Sequence, residues 1–157
     1  MTYRIQRRRT KGWRAPAGAR YVGRGTRYGN PWAVVQTGTG WAVNWTRPGK
    51  PQPEWSVNSS DQYAAHKLAV GMYGEYLALQ TELVARARQE LAGRDLMCWC
   101  ADDQPCHADV LLRVASIPDG AGVCTRCWQW EGAPDVHTAC PDCARPWDYV
   151  LPAQATG

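Results

Sequence analysis

Residues 95–115 read DLMCWCADDQPCHADVLLRVA, and this stretch decides the fold class. Asp95 to Trp99 reads as a short buried strand, because apolar side chains cluster there. Residues 101–105 are mostly polar and end on Pro105, as a loop would. From Cys106 onward Val110, Leu111 and Val114 fall at helical spacing. A strand that passes through a loop into a helix is an α/β unit, and open α/β sheets bind ligands outside the carboxyl ends of their strands. The helix N-terminus adds unpaired N–H groups suited to an anion. Cys100 and Cys106 are therefore expected in a substrate pocket. Cys98, Cys100, Cys106 and His107 could also ligate a metal. However, C-x-C-x5-C-H is crowded and side-by-side Cys-His ligation is awkward, so the pocket is the preferred reading.

Upstream, residues 3–6 predict a first strand and residues 19–22 a second, joined by a basic loop through Pro16. GRGTRYGNP at 23–31 carries Gly23, Gly25 and Gly29, which permit tight turns and close backbone approach. Residues 32–36 and 41–45 flank TGTG and read as a hairpin. Residues 46–58 are Pro-rich and polar, and predict a loop. A helix is expected from about Ser59, where Ser59 and Gln62 match a capping box. Its buried stripe would be Ala65, Ala69, Met72, Tyr73, Tyr76 and Leu77. A break near Thr81 separates a second helical stretch, and Gly93 would stop it.

Downstream, Cys124, Cys127, Cys140 and Cys143 spell C-x2-C-x12-C-x2-C. Two such knuckles converge on one ion, and four thiolates close a tetrahedral shell around zinc. One structural zinc is expected there, with Trp128, Trp130 and Trp147 covering it. The segment is too short for its own core, so metal binding would supply most of its folding energy. The expected fold is α/β, a small mixed sheet with flanking helices plus a C-terminal zinc-ribbon module. The boundaries are 1–117 for the main domain, 118–150 for the zinc module and 151–157 for a frayed tail.

Charge is divided sharply along the chain. Residues 1–53 hold nine Arg and two Lys and no acid, whereas residues 54–157 hold seven cations against 14 acids. Arg dominates, and its planar fork suits phosphate. Trp13, Tyr21, Tyr28, Trp32, Trp41 and Trp45 are interleaved with these cations, and rings among cations can stack on unpaired bases. A polyanionic partner is expected, with Arg7, Arg8, Arg9, Arg24 and Arg27 on nucleic acid or phosphate and no membrane partner. Nine Trp and seven Tyr exclude a wholly disordered chain. No stretch approaches the roughly 20 apolar residues of a bilayer span. No secretory h-region opens the sequence, so a cytoplasmic protein is expected.

An N-terminal strand ending in Arg, then G-R-G and G-N-P, then C-x-C with C-H-A-D, resembles an uncharacterised domain family of phages and bacteria over about residues 3–115. The family is catalogued as a domain of unknown function. The resemblance implies a small α/β domain with the knuckles added outside it. By resemblance its neighbourhood is associated with nucleotide or N-glycosidic chemistry, and with removal of hydroxymethyluracil-type bases from DNA. The expectation is then a DNA glycosylase acting on duplex with a flipped base. Asn30 would hold the base edge or water, His107 would donate or orient a proton, and Asp109 would act as base or stabilise the sugar cation. Gly25, Gly29 and Trp32 would complete the pocket. Each has a plainer alternative: a turn Asn, a structural His, and a first-turn Asp favoured by the helix dipole. Two other classes stay open: a nucleic-acid-binding zinc protein without chemistry, and an enzyme or sensor of free nucleotides.

Overall fold

The computed structural model describes residues 1–48, 57–131, 140, 143 and 148–151. In chain order the elements are β1 (Arg4–Gln6), β2 (Arg20–Tyr21), β3 (Trp32–Thr37), β4 (Gly40–Trp45), β5 (Val57–Ser59), α1 (Gln62–Ala78), α2 (Thr81–Glu90), β6 (Leu96–Cys98), α3 (His107–Ser116), β7 (Gly122–Val123), β8 (Trp130–Glu131) and β9 (Tyr149–Val150). The α/β class is as expected, and its parallel and antiparallel pairings are kept in separate sheets. In the first sheet β6 lies between β1 and β2, parallel to both, with Gln6 opposite Cys98 and Tyr21 opposite Met97. The second sheet, β3-β4-β5, is an antiparallel meander. The third, β8-β7-β9, carries the knuckle segment.

Local chemistry explains most boundaries. Leu96, Met97 and Cys98 are all buried, as the central strand of a parallel sheet requires. Cys106 is the N-cap of α3; its backbone is extended and its sulfur accepts from the Ala108 N–H. The cap of α1 is Asp61, whose carboxylate accepts from the Tyr63 N–H, and not the expected Ser59. Ser59 pairs with Trp41 as the last residue of β5, and its hydroxyl accepts from the Asp61 N–H instead. The expected break near Thr81 is present, because α1 ends at Ala78 and α2 begins at Thr81.

α1 is the central beam. Val43, Ala65 and Ala69 form a small core between it and the antiparallel sheet, with Trp32, Trp41 and Met72 packed around them. Tyr73, Tyr76 and Leu77 face a larger core with Val22, Tyr28, Leu91, Leu96, Val110, Leu111 and Val114. That core continues past residue 117 into Val123, Trp128 and Leu151. Trp128 adopts a left-handed backbone (φ 58°), is fully buried, and donates its indole N–H to the Gly74 carbonyl at 2.8 Å. A Cβ on Gly74 would collide with the Arg126 carbonyl, so a glycine is what lets the knuckle reach α1. Trp128 is thus a core residue of the whole chain, while Trp130 is partly exposed. Trp147 lies outside the described residues. No helix among the described residues is long and apolar enough to cross a membrane.

Candidate functional site

Parallel pairing puts the carboxyl ends of β1, β2 and β6 at one edge, so three exits converge there. Arg7, Arg8 and Arg9 leave β1, with the Arg7 N–H bonded to the Cys98 carbonyl. Val22, Gly23 and Arg24 leave β2, with the Val22 N–H bonded to the Met97 carbonyl. Trp99 and Cys100 leave β6, and the chain returns as the first turn of α3.

These exits enclose a cavity of about 580 Å³. Arg9 and Arg24 supply its cations, Tyr21, Trp32 and Trp99 its rings, and Asn30 its amide. Cys98, Cys100, Cys106 and His107 also line it, as does His66 of α1. No carboxylate is among the described residues lining it. A second cleft, lined by Arg7, Arg8, Arg9, Trp13, Tyr21 and Trp99, shares Arg9, Tyr21 and Trp99 with the first. The Arg7 guanidinium lies 4.9 Å from the Tyr21 ring centre and 5.0 Å from that of Trp99; Arg9 lies 4.8 Å from Trp99. Such stacking holds the forks near the ring faces while their edges stay available to phosphate. Arg8 instead approaches Asp102 at 3.8 Å.

The loop 23–31 is the wall between this cavity and a larger open cleft of about 820 Å³ on its other side. Arg24, Gly25 and Asn30 line both, whereas Arg27 and Gly29 line only the larger one. Asn30 secures the wall. Its amide NH2 donates to the Ala69 carbonyl at 3.1 Å, and its amide oxygen accepts from the Trp32 N–H at 2.9 Å. Arg47, which lines the larger cleft, is tied to the Tyr76 hydroxyl and the Gly29 carbonyl.

His107 is buried, with Nε2 2.8 Å from the Val22 carbonyl. Its Nδ1 faces sulfur, 3.7 Å from Cys106 and 4.0 Å from Cys98. The Cys98 and Cys100 sulfurs stand 3.7 Å apart. Hydrogen bonds with Cys106 and Cys98 hold the Cys100 thiol far below the usual thiol range, while bonding to Cys100 and Cys98, with burial, pushes the Cys106 thiol up. Burial alone would lower His107, but its hydrogen bonds to Cys100 and Cys98 prevail and raise it to about 9. The cluster concentrates negative charge on sulfur and attracts positive charge toward it.

Asp109 stands apart from the cavity. It is ion-paired with the Arg4 Nε at 3.1 Å, on the first turn of α3. Arg4 also donates to the Ala101 and Asp102 carbonyls, so this pair fastens β1 to the loop after β6. Two cavity residues escaped the sequence reading. His66 stands on α1 at i−3, i−4 and i−7 from Ala69, Val70 and Tyr73, so the face that faces the core also carries it to the cavity. Trp99, expected in a buried strand, is 37% exposed and lies beyond the end of β6.

Cys124, Cys127, Cys140 and Cys143 converge, with all four sulfurs within 4.8 Å of one another and Cys127 3.4 Å from Cys140. Two of them are buried, and this four-thiol donor set is compatible with zinc binding. The Cys124 carbonyl accepts from the Trp128 N–H at 2.7 Å, which closes the first knuckle. The sulfurs of Cys98, Cys100 and Cys106 also lie within 4.8 Å of one another.

A family model described as a domain of unknown function (DUF4326) matches residues 5–117. No curated protein matches the chain, and no solved structure does. The knuckle cysteines lie beyond the matched segment.

Proposed function

Because the chain belongs to the DUF4326 family, whose description names no activity, we propose on the site's own geometry that it binds nucleic acid and seats an unstacked base in the cavity at the ends of β1, β2 and β6. One observation carries this reading. A single cavity gathers Arg9 and Arg24 with three aromatic rings and an amide, with no carboxylate among its described lining residues. Cations track a phosphate backbone, and rings stack on bases without demanding a particular one. The volume of about 580 Å³ is in the usual range for a small-molecule pocket. Arg7 and Arg8 in the adjoining cleft extend the cationic track.

The hydrolytic extension, release of a modified base by cleavage of the N-glycosidic bond, has less support. Asn30 and His107 line the cavity, but the carboxylate assigned to the sugar cation, Asp109, is held elsewhere by Arg4. Binding is therefore the stated function, and the same experiment tests both. Labelled single strands, modified duplexes and nucleoside monophosphates are titrated with the full chain over a salt series, and the supernatants are chromatographed for free base. The expected result is tight binding of single strands that weakens steeply with salt, as counterion release demands. Arg9→Ala and Arg24→Ala should each flatten the log–log salt slope by about one unit. Salt-insensitive binding, or affinity unchanged in both variants, would refute the reading. Free base released from a modified duplex would add hydrolysis to it.

A further inference from the structure

We propose that Cys98, Cys100, Cys106 and His107 hold a second zinc ion, in a closed Cys3His site at the floor of the cavity. This inference stands independently of the ligand that fills the cavity above.

The donor spacing is the first argument. With Zn–S of about 2.3 Å and Zn–N of about 2.0–2.1 Å, the corners of a tetrahedral zinc shell lie roughly 3.5–3.8 Å apart. The observed separations are 3.7 Å for Cys98–Cys100, 3.7 Å for Cys106–His107 Nδ1 and 4.0 Å for Cys98–His107 Nδ1. The two at 3.7 Å fall in that range and the third just beyond it, and the three sulfurs lie within 4.8 Å of one another, whereas a disulfide would hold its sulfurs about 2.05 Å apart.

The tautomer is the second. A backbone carbonyl only accepts, so the contact with Val22 places the hydrogen of a neutral imidazole on Nε2. The Nδ1 lone pair is left pointing at the sulfurs. A ligating histidine typically donates its other ring N–H to a carbonyl or carboxylate in this way, which fixes the ring and raises its basicity.

The backbone is the third, and it removes the objection drawn from spacing. Adjacent ligands clash when both sit in one regular element. Here Cys106 is an extended N-cap (φ −140°, ψ 141°) and His107 is the first helical residue, so the two side chains turn toward one point. Cys98 ends β6 and Cys100 lies two residues further on, which brings both sulfurs to the same side and directs the intervening Trp99 outward. The metal would clamp the end of β6 to the start of α3. It would also hold Trp99 as the platform on which Arg7 and Arg9 lie. On binding, the remaining thiol protons and the Nδ1 proton of His107 leave to the buffer, and the three sulfurs ligate as thiolates beside a neutral imidazole.

The test is metal stoichiometry and ligand type in the full chain, purified without chelator. Elemental analysis should find two zinc ions per chain, falling to one in Cys100→Ser and to one in Cys143→Ser. After exchange with cadmium-113, the wild-type NMR spectrum should show two resonances, one of four-sulfur and one of three-sulfur, one-nitrogen type; Cys100→Ser should lose only the second. One zinc per chain that Cys100→Ser leaves unchanged, or a lone four-sulfur resonance in the wild type, overturns the proposal. Should Cys100→Ser fail to fold, the wild-type cadmium spectrum decides alone.

Discussion

Asn30 uses both ends of its amide within the protein, and this fixes what its replacement does. Asn30→Ala leaves the Trp32 N–H without its acceptor and removes one tie between loop 23–31 and α1, the other being the Tyr73 hydroxyl on the Tyr28 carbonyl. The expected loss is about 1–3 kcal/mol of stability, measured by urea denaturation. Asn30→Asp keeps the acceptor for Trp32 but sets a carboxylate oxygen against the Ala69 carbonyl, so it should destabilise as well. Asp109→Ala is the contrasting case. Its carboxylate is 38% exposed, and Arg4 keeps two carbonyl partners, so the loss should be below about 1 kcal/mol. Nucleic-acid affinity should not change in Asp109→Ala, and a clear loss of binding would contradict the placement of Asp109 away from the cavity. Both residues were singled out in the sequence as candidates for chemistry. What the sequence could not show was their partners, Ala69 some forty residues downstream and, for Asp109 of α3, Arg4 on β1. His66 had no motif at all; only the packing of α1 delivers it.

At the scale of elements, the tie between β2's exit loop and α1 predicts a pH response. The Tyr73 hydroxyl donates to the Tyr28 carbonyl at 2.7 Å, and the Tyr28 hydroxyl donates to Glu90 at 2.8 Å. Burial raises both phenols above their ordinary value; the bond to Glu90 raises Tyr28 further, and the nearby Tyr76 raises Tyr73 further. Where the unfolded chain would ionise and the native one would not, a raised phenol favours the unfolded state. The phenols' contribution to stability is complete below about pH 10, where unfolded tyrosine titrates, and is lost as pH climbs toward the native values. The wild type should therefore lose stability above about pH 10, and Tyr73→Phe should show a shallower fall in denaturation series across that range. Gly74 makes a second element-level prediction. Gly74→Ala gains up to about 1 kcal/mol in helix propensity, yet the collision with Arg126 should make it destabilising. A raised melting temperature for Gly74→Ala would show that the knuckle does not sit where described. An apolar cluster sufficed for β6, helical spacing for α3, and the TGTG turn for the hairpin of β3 and β4. Local pattern failed at β5 and at the cap of α1, because edge pairing with Trp41 claims Ser59, and pairing partners are invisible in a local window.

Across the whole molecule, the expected boundary at residue 117 meets a core that runs through it, from Leu111 and Val114 to Val123, Trp128 and Leu151. Trp128→Ala should cost about 3–5 kcal/mol and lower the melting temperature of the entire chain. Zinc chelation should act likewise, giving one cooperative transition at lower temperature by calorimetry. Two separate transitions, or a fragment of residues 1–117 as stable as the full chain, would argue for independent units. The C-x2-C pairs made the knuckles legible from spacing alone, whereas their docking onto α1 depended on a carbonyl, that of Gly74, which carries no sequence signature. The acid-free opening third was legible as charge, and parallel pairing explains why part of it arrives at one edge. Loop 23–31 has a further property as a partition between two concave surfaces, since Arg24, Gly25 and Asn30 face both sides. Whatever leans on it from one side changes the shape offered on the other. Occupants of the two sides are then thermodynamically linked, and each must alter the affinity of the other by the same factor.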